Sequence, residues 1–275
     1  MTRKAFVVGW PIAHSRSPRL HRFWLKRHGI DGDYSPEAVP PEGVEAFLTG
    51  FAGKGYVGGN VTVPHKEAAF RAAAVITPIA RRLEAVNTLW LEDGRLRGDN
   101  TDAYGFTANL DERAPDWQRG SHALVIGAGG ASRAVLQALI DAGFKSVVVL
   151  NRTLARAETL ARHFGDPVLA GDLDRLTDVL PDADIIVNAS AAGLHDADGM
   201  FVPWDAANRR AIVTDLVYVP LITPFLRGAS GSGLQIVDGL GMLLHQAVPG
   251  FERWFGVRPT VDAELRDHVV ADLKG

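Results

Sequence analysis

Short runs of β-branched and aliphatic residues alternate with longer helix-patterned stretches along most of the chain, and no other feature narrows the fold as much. Strands separated by helix-length segments pair in parallel through crossover connections, so the pattern predicts α/β layers. Two such series are present. The first opens with Ala5-Phe6-Val7-Val8-Gly9, followed by a helix with Ser17 as N-cap, Pro18 in its first turn and Gly29 at its end. It continues with a strand near Val57 to Val63 and a helix near Lys66 to Ala74. A hairpin follows, in which Asp93-Gly94 turns Thr88-Leu89-Trp90-Leu91 back into Arg95-Leu96-Arg97. The second series has strands at Ala123 to Ile126, Ser146 to Leu150, Asp184 to Val187 and Ile212 to Leu216, with helices at Ala131 to Asp141 and Leu154 to Phe164. The polar segment Asp111 to Gly120, with Pro115, is the expected boundary between the series. Helical patterning returns at Leu240 to Phe255 and at Asp262 to Leu273.

Composition removes several function classes. With 275 residues, 47% of them hydrophobic and 22% charged, the chain is long enough for two modest domains with buried cores. A formal charge of −3, with Lys and Arg dispersed, offers no basic stripe for a nucleic acid. No apolar stretch reaches the length of a membrane span, and Pro11 and His14 interrupt the apolar start before a secretory signal forms. The absence of cysteine excludes disulfides, thiolate nucleophiles and Cys-based zinc sites. A cytoplasmic protein with neither a membrane nor a nucleic-acid partner is expected. His14, His21 and His28 recur every seven residues, but Pro18 breaks any common helix face and no carboxylate accompanies them at ligand spacing, so no metal site is expected. HExxH, GxSxG and the Walker phosphate loop are absent, which leaves metalloprotease, serine hydrolase and nucleotide hydrolase readings without support.

The run Val125-Ile126-Gly127-Ala128-Gly129-Gly130-Ala131-Ser132-Arg133 follows a strand and opens a helix, the context of a dinucleotide-binding turn. Gly127 permits the tight turn, and Gly129 lets the backbone approach a pyrophosphate whose charge rests on the helix N-terminus. The sixth position is Ser132 instead of the usual Gly or Ala. At the end of the next strand, where NAD sites usually place an acidic residue, the chain has Asn151-Arg152-Thr153. Arg152 can pair with a 2′-phosphate, Thr153 can cap the next helix, and Arg156 lies four residues further on. A cation at a helix start is unfavourable without an anion, so NADP is expected in preference to NAD.

Polar groups also recur directly after strands of the first series, where ligands of open α/β sheets collect. They are Gly9-Trp10-Pro11-Ile12-Ala13-His14-Ser15-Arg16-Ser17-Pro18, Gly59-Asn60-Val61-Thr62-Val63-Pro64-His65-Lys66, Ala85-Val86-Asn87-Thr88 and Gly98-Asp99-Asn100-Thr101-Asp102. Together with Asn188-Ala189-Ser190, Asp215-Leu216-Val217-Tyr218-Val219-Pro220, Thr223-Pro224-Phe225 and the stretch from Asp238 to Gln246, these segments resemble the shikimate dehydrogenase family nearly end to end.

The resemblance implies an NADP-dependent oxidoreductase acting on a CH–OH group, which reversibly reduces 3-dehydroshikimate to shikimate on the chorismate route to aromatic amino acids. It implies a discontinuous α/β catalytic domain, residues 1–105 and 239–275, and a Rossmann-type NADP-binding domain, residues 106–238, with the active site in the cleft of a monomer or homodimer. By the same resemblance Lys66 and Asp102 form the catalytic pair. Ser15 and Ser17 bind the substrate carboxylate, with Tyr218 helping at that end. Asn60, Thr62, Asn87 and Gln246 meet ring hydroxyls or neighbouring groups. The cofactor is assigned Gly127, Ala128, Gly129, Gly130, Ala131, Asn151, Arg152, Thr153, Arg156, Ser190, Leu216, Gly239 and Met242. Two departures stand out: Glu84 where the family commonly has Gly before Ala-Val-Asn-Thr, and Ala191 where it has a hydroxyl residue. Two rival readings share the scaffold. One is an NAD-dependent quinate/shikimate dehydrogenase, which Asn151-Arg152-Thr153 disfavours. The other is a non-catalytic NADP sensor, which retention of both Lys66 and Asp102 disfavours.

Overall fold

The computed structural model describes residues 2–190 and 200–273. The chain forms two compact units, Met1–Thr101 with Leu244–Gly275 and Asp102–Leu243.

The first unit begins with β1 (Arg3–Gly9), α1 (Ser17–Arg27), β2 (Gly32–Ala38), α2 (Val44–Gly50) and β3 (Tyr56–Val61). It goes on through α3 (Lys66–Ala72), β4 (Val75–Ile76), α4 (Pro78–Leu83), β5 (Thr88–Glu92) and β6 (Arg95–Asp99). The sheet order is β2-β1-β3-β5-β6-β4. β1 runs parallel to both β2 and β3, whereas β5 is antiparallel to β3 and β6. The chain therefore leaves β1 toward one side and comes back on the other, and a crevice opens at the carboxyl ends of β1 and β3. Backbone bonds from Thr62 N to Val8 O (2.9 Å) and from Trp10 N to Val63 O (3.1 Å) hold these ends together.

Two features of this unit were illegible in the hydrophobic pattern. β2 carries Pro36 and lies at the sheet edge, where a missing N–H costs no ladder bond. Ser17, expected as N-cap, is instead the first helical residue of α1, and Arg16 takes the cap position without a side-chain cap bond. The cap function passes to Ser15, whose Oγ accepts from Ser17 N at 3.3 Å. Gly29 ends α1 as expected, with φ +62° just past the C-cap His28. Asp93 and Gly94 both have positive φ, the geometry of a two-residue hairpin turn.

Phe6 anchors one face of the sheet, meeting Phe47, Phe51 and Tyr56 edge-on with ring centroids 5.0–5.2 Å apart. The opposite cluster holds His21, Trp24, Tyr34, Phe251 and Trp254, all at most 2% exposed. Trp254 Nε1 donates to Leu89 O at 2.8 Å, and Gly58 is glycine because a Cβ there would occupy the space of that indole.

The second unit contains α5 (Asp102–Arg113), β7 (His122–Ile126), α6 (Gly130–Asp141), β8 (Ser146–Leu150), α7 (Leu154–Phe164) and β9 (Val168–Gly171). Then come α8 (Leu176–Val179), β10 (Ile185–Asn188), β11 (Ile212–Asp215), α9 (Pro224–Gly231) and β12 (Gln235–Val237). Its strands are all parallel, in the order β12-β11-β10-β7-β8-β9. This is the doubly wound dinucleotide-binding arrangement, whose central strands are apolar over most of their length because both faces are covered. The segment Asp111 to Gly120, expected as a boundary, belongs to this unit. α5 runs to Arg113, and Trp117, 2% exposed, stacks on Phe144 at 6.1 Å. One buried indole thus ties a segment that looks polar by composition into the core. The last helices are α10 (Leu240–Phe255) and α11 (Ala263–Val270).

Candidate active site

In the first unit the crevice gathers most of the polar residues singled out above. Gly9 lies against the Thr62 methyl, where an added Cβ would come within 2.6 Å. The loop after β1, which carries Ser15, is thereby held beside the end of β3. Lys66 opens α3, and its carbonyl accepts from Val86 N at 3.0 Å, which links it to the segment that leads through Asn87 into β5.

Asn60, Asn87 and Gln246 belong to one buried network, each at most 9% exposed. Asn60 Nδ2 donates to Asn87 O at 3.0 Å and to Thr88 Oγ1 at 3.3 Å. Thr88 Oγ1 donates to Asn87 Oδ1 at 2.8 Å, and Thr101 N donates to the same oxygen at 2.9 Å. Asn87 Nδ2 is therefore turned toward Thr101 Oγ1 (3.1 Å) and Gln246 Oε1 (3.3 Å). Thr101 Oγ1 donates to Gln246 O at 2.8 Å. Asp102, 9% exposed, follows directly as the first residue of α5, where a carboxylate suits the helix dipole.

Tyr34 also belongs to this network, although no motif in the sequence points to it. Its hydroxyl donates to Asn60 Oδ1 at 2.6 Å. Burial, opposed by hydrogen bonds to Asn60 and Ser17, pushes the phenol well above its ordinary pKa, so it stays protonated as a donor. The His21 ring stacks flat on Tyr34 at 4.0 Å. Fully buried and without a partner at either ring nitrogen, His21 is a neutral core residue whose pKa burial lowers to about 3. His14 and His28 are exposed, and no group of three potential metal ligands occurs among the described residues.

In the second unit the glycine loop has the expected form. Gly127 has φ +109°, and a Cβ there would come within 2.7 Å of Ser190 N, so only glycine fits. Gly129 and Gly130 face open space and leave room for an anion at the start of α6. Ser132, the unusual sixth residue, is fully buried. Its Oγ donates to Gly127 O at 2.8 Å and accepts from Gly129 N at 3.1 Å, closing the turn from within. Asn151 Oδ1 accepts from Ala128 N at 3.1 Å while its Nδ2 donates to Thr153 O at 2.9 Å. Its side chain thus braces the loop. Thr153 occupies the N-cap of α7 but makes no side-chain cap bond. Arg152 and Arg156 are exposed at the same strand end.

On the other side of the loop, Ser190 Oγ donates to Asn188 Oδ1 at 2.7 Å. Asn188 Nδ2 and Val217 N donate to Asp215 Oδ1, and Thr223 Oγ1 donates to Asp215 Oδ2 at 2.6 Å. Burial raises the Asp215 pKa against these bonds. Thr223 also caps α9, accepting from Leu226 N at 3.2 Å. Gly239 packs against the Leu216 carbonyl, where a Cβ would come within 2.7 Å of the oxygen. Tyr218 and Met242 are half-buried. Ala191 lies outside the described residues. Glu84 adopts the left-handed conformation, φ +51°, at the C-cap of α4, so the backbone keeps there a geometry that glycine takes more readily.

These residues suit a dinucleotide with an extra phosphate: an anion-accepting helix start, a close-approach loop and exposed guanidinium groups where an NAD site would carry an acid.

Comparison with known proteins agrees. The family model for the shikimate dehydrogenase substrate binding domain matches residues 7–89, that for shikimate / quinate 5-dehydrogenase residues 110–198, and that for the shikimate 5'-dehydrogenase C-terminal domain residues 239–263. The shikimate dehydrogenase (NADP(+)) of Brucella abortus is 56% identical over 274 residues, covering 98% of this chain and 95% of that protein. Shikimate 5-dehydrogenase of Thermus thermophilus, solved with NADP(H) and shikimate, superposes with a TM-score of 0.87 at 38% identity, covering 99% of this chain and 100% of the other. Quinate dehydrogenase of Corynebacterium glutamicum with NAD superposes with a TM-score of 0.89 at 27% identity, covering 98% and 99%. Matched by these family models over most of its length and by such relatives nearly end to end, the chain belongs to the shikimate dehydrogenase family.

Proposed function

We propose that the chain is an NADP-dependent shikimate dehydrogenase that reversibly reduces 3-dehydroshikimate to shikimate, in the cytoplasm and as a monomer or homodimer. The observation that carries this reading is the strand end of β8. There Arg152 and Arg156 stand exposed beside the open start of α6, where an NAD-selective site would carry an acid. No helix among the described residues is long and apolar enough to cross a membrane.

The first unit binds substrate and the second binds NADP. Gly127 to Ala131 hold the pyrophosphate, Arg152 and Arg156 the 2′-phosphate, Asn151 and Thr153 the shape of that corner, and Ser190, Leu216, Gly239 and Met242 the nicotinamide half. When bound, NADP supplies or accepts the hydride. Ser15 and Ser17, with Tyr218, hold the substrate carboxylate, and Asn60, Thr62, Asn87 and Gln246 orient the ring. Lys66 and Asp102 carry the acid–base chemistry. Ketone reduction builds negative charge on oxygen, which the Lys66 ammonium stabilises while the pair delivers the proton, and alcohol oxidation returns that proton to the pair.

The test is a set of steady-state rates with shikimate and quinate, each with NADP and NAD. Shikimate with NADP is expected to be the most efficient pair. Equal or better efficiency with quinate, or with NAD, favours the quinate/shikimate reading, and inactivity with all four favours the sensor.

A further inference from the structure

We infer that Tyr34 is a positioning residue for substrate recognition, and that it fixes Asn60 so that this side chain meets the substrate only as a hydrogen-bond acceptor. The inference rests on the shikimate reading above and specifies how one residue of that site works.

An Asn amide has two donor hydrogens on nitrogen and two lone pairs on oxygen, and its orientation follows from what surrounds it. The Asn87 backbone oxygen can only accept, so the Asn60 group facing it at 3.0 Å must be Nδ2. The second Nδ2 hydrogen goes to Thr88 Oγ1 at 3.3 Å. Thr88 Oγ1 can accept it because its own proton goes to Asn87 Oδ1 at 2.8 Å. Asn87 Oδ1 is in turn pinned as an acceptor by the Thr101 N–H at 2.9 Å. The polarity of the chain is therefore set by two backbone groups, and neither amide can flip without setting two acceptors or two donors against each other.

Both Asn60 donors are thus used inside the protein. On the oxygen, one lone pair takes the Tyr34 hydroxyl at 2.6 Å. His21 lies beside Asn60 and against the Tyr34 ring, but neither of its nitrogens reaches hydrogen-bond geometry, so it does not take the second position. What Asn60 offers a ligand is that one remaining lone pair, and the ligand group it recognises must be a hydroxyl acting as donor. Tyr34, buried and clamped by the His21 ring, holds the oxygen in place from the far side.

The experiment is a mutant cycle of Tyr34→Phe, Asn60→Ala and the double variant, with kcat and KM measured separately for shikimate and NADP. Phe keeps the ring stacked on His21 and removes the hydroxyl that donates to Asn60. The KM for shikimate is expected to rise roughly 5- to 10-fold in Tyr34→Phe, the scale of one hydrogen bond, with kcat and the KM for NADP within about twofold of wild type. In the Asn60→Ala background the same substitution is expected to add less than about twofold, because Tyr34 acts through Asn60. An unchanged shikimate KM, an equal rise in the Asn60→Ala background, or an equal rise for NADP overturns the inference.

Should Tyr34→Phe fail to fold, three shikimate analogues, each with one ring hydroxyl replaced by fluorine, are titrated into the wild type and Asn60→Ala. Fluorine cannot donate. One analogue should bind roughly 10-fold more weakly than shikimate to the wild type and show no such loss with Asn60→Ala. Three equal losses that persist in Asn60→Ala overturn the inference. Failure of the wild type to turn over shikimate with NADP overturns the functional reading and this inference with it.

Discussion

Lowering the pH should destabilise the first unit through His21 in particular. The folded protein holds this imidazole neutral, with a pKa of about 3 against 6.5 when solvated, because burial disfavours the cation. The unfolded chain therefore binds the extra proton, and the stability contributed by neutral His21 is full above pH 6.5 and is lost as pH falls from there toward 3. At about pH 5 the unfolded state gains about 2 kcal/mol from protonating this residue, while at about pH 7.5 it gains only about 0.1 kcal/mol. His21→Phe should abolish the difference. Since neither ring nitrogen has a hydrogen-bond partner, the substitution breaks no bond, and Phe packs into an aromatic nest of Trp24, Tyr34 and Phe251. Urea titrations of both proteins at the two pH values, read by pulsed hydrogen–deuterium labelling of the Ser17–Arg27 peptide, follow the first unit alone. Asp215 has a carboxyl pKa raised by burial and shifts stability in the opposite sense, but it is the same in both proteins and cancels in the comparison. The loss between pH 7.5 and 5 should be larger in the wild type by about 2 kcal/mol. Parallel pH dependences would show that His21 reaches solvent or a partner in the folded state, and would refute the reasoning.

Lys66→Ala should lower kcat roughly 100-fold or more, the scale of lost proton transfer and charge stabilisation, while thermal melting and NADP affinity stay near wild type. The fold should hold because Ala is a strong helix former and the change removes a cation from the first position of α3. Arg152→Ala should lower kcat/KM for NADP roughly 10- to 150-fold and for NAD far less, which the ratio of the two efficiencies reads directly. Arg156 lies in the first turn of α7, four residues on, so the double replacement should exceed either single one. Glu84→Gly should raise stability by about 0.5–1 kcal/mol in chemical denaturation, since it relieves a left-handed non-glycine residue at an exposed helix end.

Features encoded over short stretches were legible without any structure. The glycine turn reads directly, because at Gly127 a positive φ combined with a close backbone neighbour leaves room only for glycine. The Asp93-Gly94 hairpin and the helices Leu154–Phe164 and Leu240–Phe255 read equally well, since turn chemistry and a 3.6-residue period involve only neighbours in the chain. The polar residues of the candidate site could be named because they follow strand ends and carry a family resemblance.

Tertiary structure alone decided how those residues are wired. Asn87 meets Gln246 across 159 positions, and Tyr34 meets Asn60 across 26, from an edge strand that Pro36 concealed. Ser15 took the capping bond expected of Ser17, and Ser132, which looked like an imperfection of the glycine motif, closes the turn with a buried hydroxyl. Asp111 to Gly120, polar enough to read as a boundary between the two series, is tied into the second unit by the buried Trp117. Hydrophobic periodicity reports which face of an element is buried but is silent about its partner. Hydrogen-bond direction depends on that partner, because an amide becomes a donor or an acceptor only when a group of fixed polarity is brought opposite it.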